Sequence, residues 1–454
     1  MNQDCAQDKI PSIRIPTYIS SYKQTLNTSG KINNPMGAPL ARPSQHSFSF
    51  EDMEQYRRGI FSTRHQYHTD ATLMSNHQPI QTLLASDHIS IASPFLSEDL
   101  ISEGNFEHIQ ELAKVFPGNL TSFLGFECRL ADPTARADFA FAISGVNGDR
   151  NVFVNLLQDP HFSAKFLHHP EWQQISNFAA SWADPHSDLY ENVKCFWLEF
   201  DMPENPTGIP VPSVFFGPAK PHGATNESTQ YRWLTQTALP LLKGGALSET
   251  VEQKVMDCIE KIPGAAYLFQ VGTMLSREVQ TVRVYINRIA PDQIIPYLIS
   301  IGWADDAGAF AQVIEEIADK ADRFVISFDV QEDGIGSKIG IECSFNESQY
   351  LLNSKWERFL EYLVTKGLCL PEKRDALLKY SGVENAEIED TTMKPLTSAS
   401  RSLDEVLSSA IARFINHVKL VYRPGQPLEA KAYPAVRYFN TEEQTSDITK
   451  MTTA

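Results

Sequence analysis

Four short stretches carry side chains whose types and spacing suit chemistry. In EAKAYPAVRY, residues 429–438, an extended chain puts Lys431, Tyr433 and Arg437 on one face with Ala435, because successive strand side chains point to opposite sides. VRVYIN brings Arg283 and Tyr285 together in the same way, GFECRL brings Glu127 and Arg129, and WLEFD brings Glu199 and Asp201 beside Trp197. Cations alternating with phenols are an odd thing for a sheet to build for stability alone, since exposed ion pairs contribute only about 0–1 kcal/mol. The two carboxylates near Trp197 suit a metal or a cationic ligand, or else salt bridges to the cations of neighbouring strands. Together these stretches point to a charged strand face that holds a polar ligand.

Other chemistry is poorly represented. The chain has no G-x-S-x-G, G-x-G-x-x-G or D-D-x-x-D run, which disfavours hydrolase, dinucleotide and clustered-magnesium readings. His65 and His68 have helical spacing but no third ligand and read as surface histidines, so no metal site is assigned. The Gly-rich GPAKPHGAT (217–225) lacks the P-loop pattern and reads as a loop.

Composition bounds the class. The 454 residues are 42% hydrophobic and 21% charged, as expected of a chain with a large core. A net charge of −17 argues against nucleic acid or an anionic membrane as partner. No apolar run is long enough to span a bilayer, and the N-terminus lacks the charged-then-apolar order of a secretory signal. The six cysteines are scattered with no C-x-x-C pair and read as buried thiols. These features predict a cytoplasmic protein.

The pattern along the chain is an irregular arm over 1–48, a helical lead-in over 49–114, a repeat domain over 115–440 and a flexible tail over 441–454. Within the repeat domain, paired strand-like runs recur five times, from TSFLGFECRL/RADFAFAIS to NHVKLVYR/EAKAYPAVRY, with amphipathic helical stretches between them. A further short helix is expected over SLDEVLSSAIARFI. Apolar and polar residues alternate on every strand, so the helices must cover one face and water must meet the other. Ten antiparallel strands approach the limit of about 10 for an open twisted sheet. Closure removes both edges, and a ring wider than eight strands leaves a lumen. The fold class is therefore α+β: a ten-stranded antiparallel barrel of five ββαα units, helices outside, with a polar lumen.

Five ββαα units around a polar bore resemble the ABBA-type aromatic prenyltransferases of PT-barrel fold, nearest the fungal indole-prenylating branch, over about residues 115–440. In that family the second strand of several hairpins carries a cation-x-Tyr pair facing the lumen, matched here by Arg283/Tyr285 and Lys431/Tyr433. The resemblance implies a transferase of secondary metabolism that moves a prenyl group from an allylic diphosphate to an aromatic or electron-rich small molecule. Arg283 and Lys431 would bind the diphosphate, with Lys338 and Lys419 as further phosphate contacts. Tyr285 and Tyr433 would shield the cation, Glu127 would act as the catalytic carboxylate on the acceptor, and Trp197 and Arg437 would contact substrate. No cofactor is required and Mg2+ is optional. The family pattern is incomplete, because Ser213/Phe215 and Glu342/Ser344 replace cation-x-Tyr on two hairpins and Asp138 stands where the indole branch has an arginine. Acids on the wet face are about as numerous as bases. That balance supports an alternative: a barrel that binds a polar ligand or peptide, or runs non-prenyl chemistry, in its lumen.

Overall fold

The computed structural model describes residues 84–121, 123–145, 149–204, 210–219, 228–277, 281–345, 354–385 and 409–440. The expected arm over 1–48, the lead-in before residue 84, His65, His68 and the tail from 441 lie outside the described residues.

The strands are β1 (Phe123–Arg129), β2 (Ala137–Ser144), β3 (Val193–Phe200), β4 (Ser213–Pro218), β5 (Tyr267–Thr273), β6 (Val282–Asn287), β7 (Arg323–Gln331), β8 (Gly334–Ile335), β9 (Ile339–Ser344), β10 (Gly382–Asn385), β11 (Ser409–Tyr422) and β12 (Glu429–Asn440). Antiparallel pairing runs β1–β2–β3–β4–β5–β6–β7–β9–β11–β12, and β12 pairs back onto β1. Ten strands thus close a ring, as the strand count and alternation predict. The two-residue β8 decorates the turn after β7, and β10 lies along the first half of β11, outside the ring.

Helices follow the strand pairs. α1 (Ala85–Ala92) and α2 (Glu103–Ala113) precede the barrel. Four helices separate β2 from β3: α3 (Asp149–Gln158), α4 (Pro160–Phe166), α5 (Pro170–Ala183) and α6 (Asp188–Asn192). That gap is more broken than a pair of helices because Pro160 and Pro170 each start a new helix and Asp159 caps α4. After β4 come a π-helical turn (Leu234–Ala238), α7 (Leu239–Lys243) and α8 (Glu249–Glu260). α9 (Pro291–Ser300) and α10 (Ala307–Ile317) follow β6; α11 (Ser354–Thr365) and α12 (Pro371–Tyr380) follow β9.

The outward strand faces and the helices make one core. Leu124, Phe126 and Cys128 of β1 are fully buried, as are Phe196 and Phe216 on β3 and β4. α5 covers that side with Trp172, Ile175, Phe178, Ala179 and Trp182, a stripe at helical spacing. Phe178 stacks on Phe196 with ring centroids 4.8 Å apart. Each such side chain withdrawn from water contributes about 1.5–3 kcal/mol. The free thiols Cys128, Cys258, Cys343 and Cys369 are buried.

One expected helix is a strand. SLDEVLSSAIARFI is extended from Ser409 onward, paired with β12 from Ser409↔Asn440 to Phe414↔Ala435, while residues 402–408 lie outside the described residues. Alternate inward positions there, Ala412 and Phe414, are buried, so partner strands on both sides override the local helix preference.

α12 is tied to the first hairpin. Lys373, only 1% exposed, donates to the carbonyls of Arg129 at 2.8 Å and Thr134 at 3.0 Å, and the Leu370 N–H bonds the Leu130 carbonyl. Lys373→Met leaves two carbonyls without this donor, a loss of about 1–3 kcal/mol. A chemical denaturation curve is expected to shift to lower midpoint by that amount with an unchanged slope.

Candidate functional site

The ends at which the paired strands are joined lie at one side of the barrel, and the inward side chains there are charged. Exposure falls with depth from there: the Arg277 and Asp201 side chains are 47% and 51% exposed, Lys431 and Glu127 20% and 18%, Lys419 and Glu342 10% and 0%. A cavity of about 270 Å³ occupies this end, lined by Glu127, Asp138, Glu199, Arg283, Lys338, Lys419, Lys431, Tyr285 and Tyr433 among others. Below it aromatic side chains occupy one side of the bore, while the buried polar side chains Gln270, Asn287, Ser344 and His417 lie on the other strands. Phe123, Trp197, Phe215 and Phe414 pack with Ala140 and Ala435, and Phe123 meets Trp197 edge-on at 5.3 Å. The lumen is thus charged over its turn-side part and narrowed by an aromatic cluster deeper in.

Cross-strand register decides which charges meet. Arg129 and Lys431 are partners between β1 and β12, which brings the Lys431 Nζ to 2.5 Å from Glu127 Oε1. Tyr433 donates its hydroxyl to the other carboxylate oxygen. Burial works against charge on Glu127, but the Lys431 charge and hydrogen bond, with that of Tyr433, hold its carboxyl well below the usual range. On the far side Arg283 and Asp329, facing partners of β6 and β7, form a two-pronged pair at 2.8 Å for each bond. Lys419 sits 3.3 Å from Glu342 and 4.8 Å above the Tyr285 ring. Its amine is raised above its ordinary value because Tyr285 and Glu342 outweigh burial. Burial pushes the Tyr285 hydroxyl up to about 12. His417 stacks on Tyr433 at 4.0 Å and is kept neutral by burial and by the charge of Lys419 and Arg323.

Two lining groups stand apart. Burial, and with it the nearby Glu127 charge, raises the Glu199 carboxyl against the opposing pull of Lys419 and Arg283. Lys338 has no carboxylate within ion-pair distance among the described residues; burial and then Arg283 lower it to about 7. The lining charges are also segregated. Along β12 and then β1 to β3 they are Glu127, Asp138, Glu199, Asp201 and Glu429 against Arg129 and Lys431. From β5 round to β11 they are Arg277, Arg283, Lys338, Lys419 and Arg423, while Asp329 and Glu342 do not line the cavity. Since β2 and β7 stand opposite in the ring order, an acidic wall faces a basic one. Among the described residues, no three His, Cys, Asp or Glu side chains group to hold a metal.

No family model matches the chain, and no curated protein matches its sequence. Solved structures to which it is similar include the apo form of the prenyltransferase PriB, with 11% identity, a TM-score of 0.46, 77% of this chain and 95% of that chain covered. 5-Dimethylallyltryptophan synthase from Streptomyces coelicolor is similar at 12% identity and TM-score 0.44, over 78% of this chain and 97% of that chain. AnaPT from Neosartorya fischeri is similar at 12% identity and TM-score 0.39, over 70% and 77%. The ring closure and outer helices make this fold a PT barrel.

The PT barrel places Glu127, Arg283, Tyr285, Lys338, Lys419, Lys431 and Tyr433 around one cavity. It does not bring Trp197 or Arg437 there. Trp197 is 1% exposed in the aromatic cluster, and Arg437 lies near the same end of β12, its guanidinium 5.8 Å from the Phe123 ring centroid. Glu342, expected as an acid on the wet face, lies under Lys419 and is wholly buried. Arg277 escaped the sequence reading because it follows β5 in a turn, where no periodicity points inward. Gly340 escaped it too, yet a Cβ there would meet Ser327 Oγ at 2.5 Å and Lys419 Cε at 2.6 Å. The bare backbone of Gly340 is what lets the Lys419 stem cross β9. Gly340→Ala is expected to displace Lys419 and cost about 1–3 kcal/mol, read as a lower thermal midpoint.

Proposed function

We propose that this PT barrel moves a prenyl group from an allylic diphosphate to an aromatic or otherwise electron-rich small molecule. The segregation of the lining charges carries the reading. The overall count of acids and bases is balanced, but a diphosphate meets only the wall it faces, where Arg283, Lys338 and Lys419 converge and their carboxylate partners are withdrawn from the cavity. There the cations stabilise the departing pyrophosphate as the allylic C–O bond breaks and the oxygen keeps the electron pair. The faces of Tyr285 and Tyr433 attract and shield the allylic cation. Lys431 holds Glu127 ionised so that it accepts a hydrogen bond from the acceptor, whose carbon then attacks the allylic cation and gives up its proton to that carboxylate. No cofactor is required, and Mg2+ is an optional companion of the diphosphate. Trp197 and Arg437 have no role in this reading.

A second reading is favoured by one observation. Arg283 and Lys419 already hold carboxylates, which weakens their pull on a multiply charged anion and suits a barrel that binds a polar ligand without transfer. Calorimetry with dimethylallyl and geranyl diphosphate separates the two. The transferase reading expects micromolar binding that weakens at least tenfold in Lys338→Ala and in Arg283→Ala. Because the Lys338 amine lies at about 7, it is charged below that pH and neutral above it, so affinity should fall as pH rises through about 7. In Lys338→Ala that slope should flatten. No heat from either diphosphate in the wild-type protein would withdraw the transferase reading and leave the polar-ligand barrel.

A further inference from the structure

The cations of the basic wall differ in how firmly they are held. Arg283 is locked onto Asp329 by two bonds of 2.8 Å, and Lys419 lies against Glu342, whose side chain is wholly buried. Arg277 is held differently. Its backbone is fixed, because its N–H closes a turn onto the Met274 carbonyl at 3.1 Å and the neighbouring Leu275 is anchored in the core. Its side chain reaches past β4 to Asp201, just beyond the end of β3. One contact of 3.5 Å joins them, and both side chains are half exposed. Such a pair contributes little to stability and exchanges partners readily. Asp201 also accepts a hydrogen bond from Ser276 at 3.1 Å, so it keeps a donor when the guanidinium leaves.

Arg277 lines the cavity with Arg283, Lys338 and Lys419. Burial first, then Arg283, and further Lys419 and Arg277, lower the Lys338 amine, so the Arg277 charge is already felt where Lys338 stands. Depth separates the members of this wall. The Arg277 side chain is 47% exposed, those of Arg283 and Lys419 only 11% and 10%. Tyr285 and Tyr433 are more deeply buried, so an allylic chain lying against them sends the far end of its diphosphate toward the rim.

We propose that Arg277 is a rim clamp for the terminal phosphate of the allylic diphosphate, parked on Asp201 in the free protein and exchanging that carboxylate for the ligand. The allylic part of this ligand rests on the transferase reading; the clamp itself rests on the Arg277–Asp201 pair. A guanidinium fork matches two phosphate oxygens at once, where Asp201 offers it one, so the exchange favours the ligand. A monophosphate lacks the terminal group that the clamp would hold. The site therefore selects a diphosphate over a monophosphate.

Titration calorimetry on the full chain with dimethylallyl diphosphate, dimethylallyl monophosphate and inorganic pyrophosphate reads the clamp. Arg277→Ala should weaken both ligands that carry two phosphates about tenfold and leave the monophosphate within about twofold. Asp201→Asn, which keeps the shape and an acceptor for Ser276, should tighten the same two ligands, because the guanidinium is no longer held back. That gain should vanish when Arg277→Ala is added, whereas a general loss of negative charge at the rim would tighten binding there as well. Thermal midpoints of all three variants should match the wild type, since the pair is exposed. No gain in Asp201→Asn, a gain that persists without Arg277, or an equal loss of mono- and diphosphate in Arg277→Ala overturns the clamp. If dimethylallyl diphosphate still binds and still weakens in Arg283→Ala, those results leave the transferase reading in place. Pyrophosphate that shows the full Arg277–Asp201 pattern while dimethylallyl diphosphate gives no heat keeps the anion clamp and removes the transferase. No heat from any of the three ligands, in the wild type or in Asp201→Asn, removes both.

Discussion

A ring of ten antiparallel strands cannot fill all of its bore with side chains, and everything else at this site follows from that constraint. Alternation sends every second residue inward whether or not there is a packed core to receive it. Near the hairpin turns those residues are charged, in a space that gives them less water than the surface would. Each charge then needs a partner, and cross-strand neighbours are the nearest supply. Arg283 finds Asp329 directly opposite; Glu127 finds Lys431 one strand over; Lys419 and Glu342 face each other between β9 and β11. Pairing holds these side chains still, which is what a binding site asks of them.

The same logic separates structure from site. A charge with a fixed partner stabilises the wall, and a charge left without one is available to a ligand. Lys338 is left over on the basic wall, and burial shifts it toward its neutral form. A ligand anion restores it to its ionised form. The aromatic cluster of Phe123, Trp197, Phe215 and Phe414 adds a second condition, because its packed rings take up bore space beside the cavity. Tyr285 and Tyr433 stand at the boundary and present both a ring and a hydroxyl to that space.

Outside the ring the helices have a simpler task. They cover an apolar strand face, and a stripe such as Trp172, Phe178 and Trp182 on α5 meets it through ring-on-ring contacts. Their number varies between hairpins without effect on the ring, since strand pairing fixes the barrel and each helical segment needs only to cover the wall. Lys373 is an exception: a lone buried ammonium joins α12 to the carbonyls at the first turn.

The sequence by itself determined the barrel and the composition of its inner face. Period-two alternation is local, so the strands, their inward residues and the charged set Glu127, Arg283, Lys338, Lys419 and Lys431 could be read one stretch at a time. β11 was partly hidden, because SAIARFI is extended only by virtue of partners far away in the chain. Only the tertiary structure decided how the charges combine. Register fixed which carboxylate neutralises which cation, turned a balanced count into two opposed walls, and buried Glu342 beneath Lys419. It also set Trp197 and Arg437 at the wrong depth to share the cavity, although they lie on the same strand faces as its residues. A strand pattern gives the side on which a residue points; the depth at which it lies and the neighbour it meets depend on pairing between distant segments, and pairing is not written in any one of them.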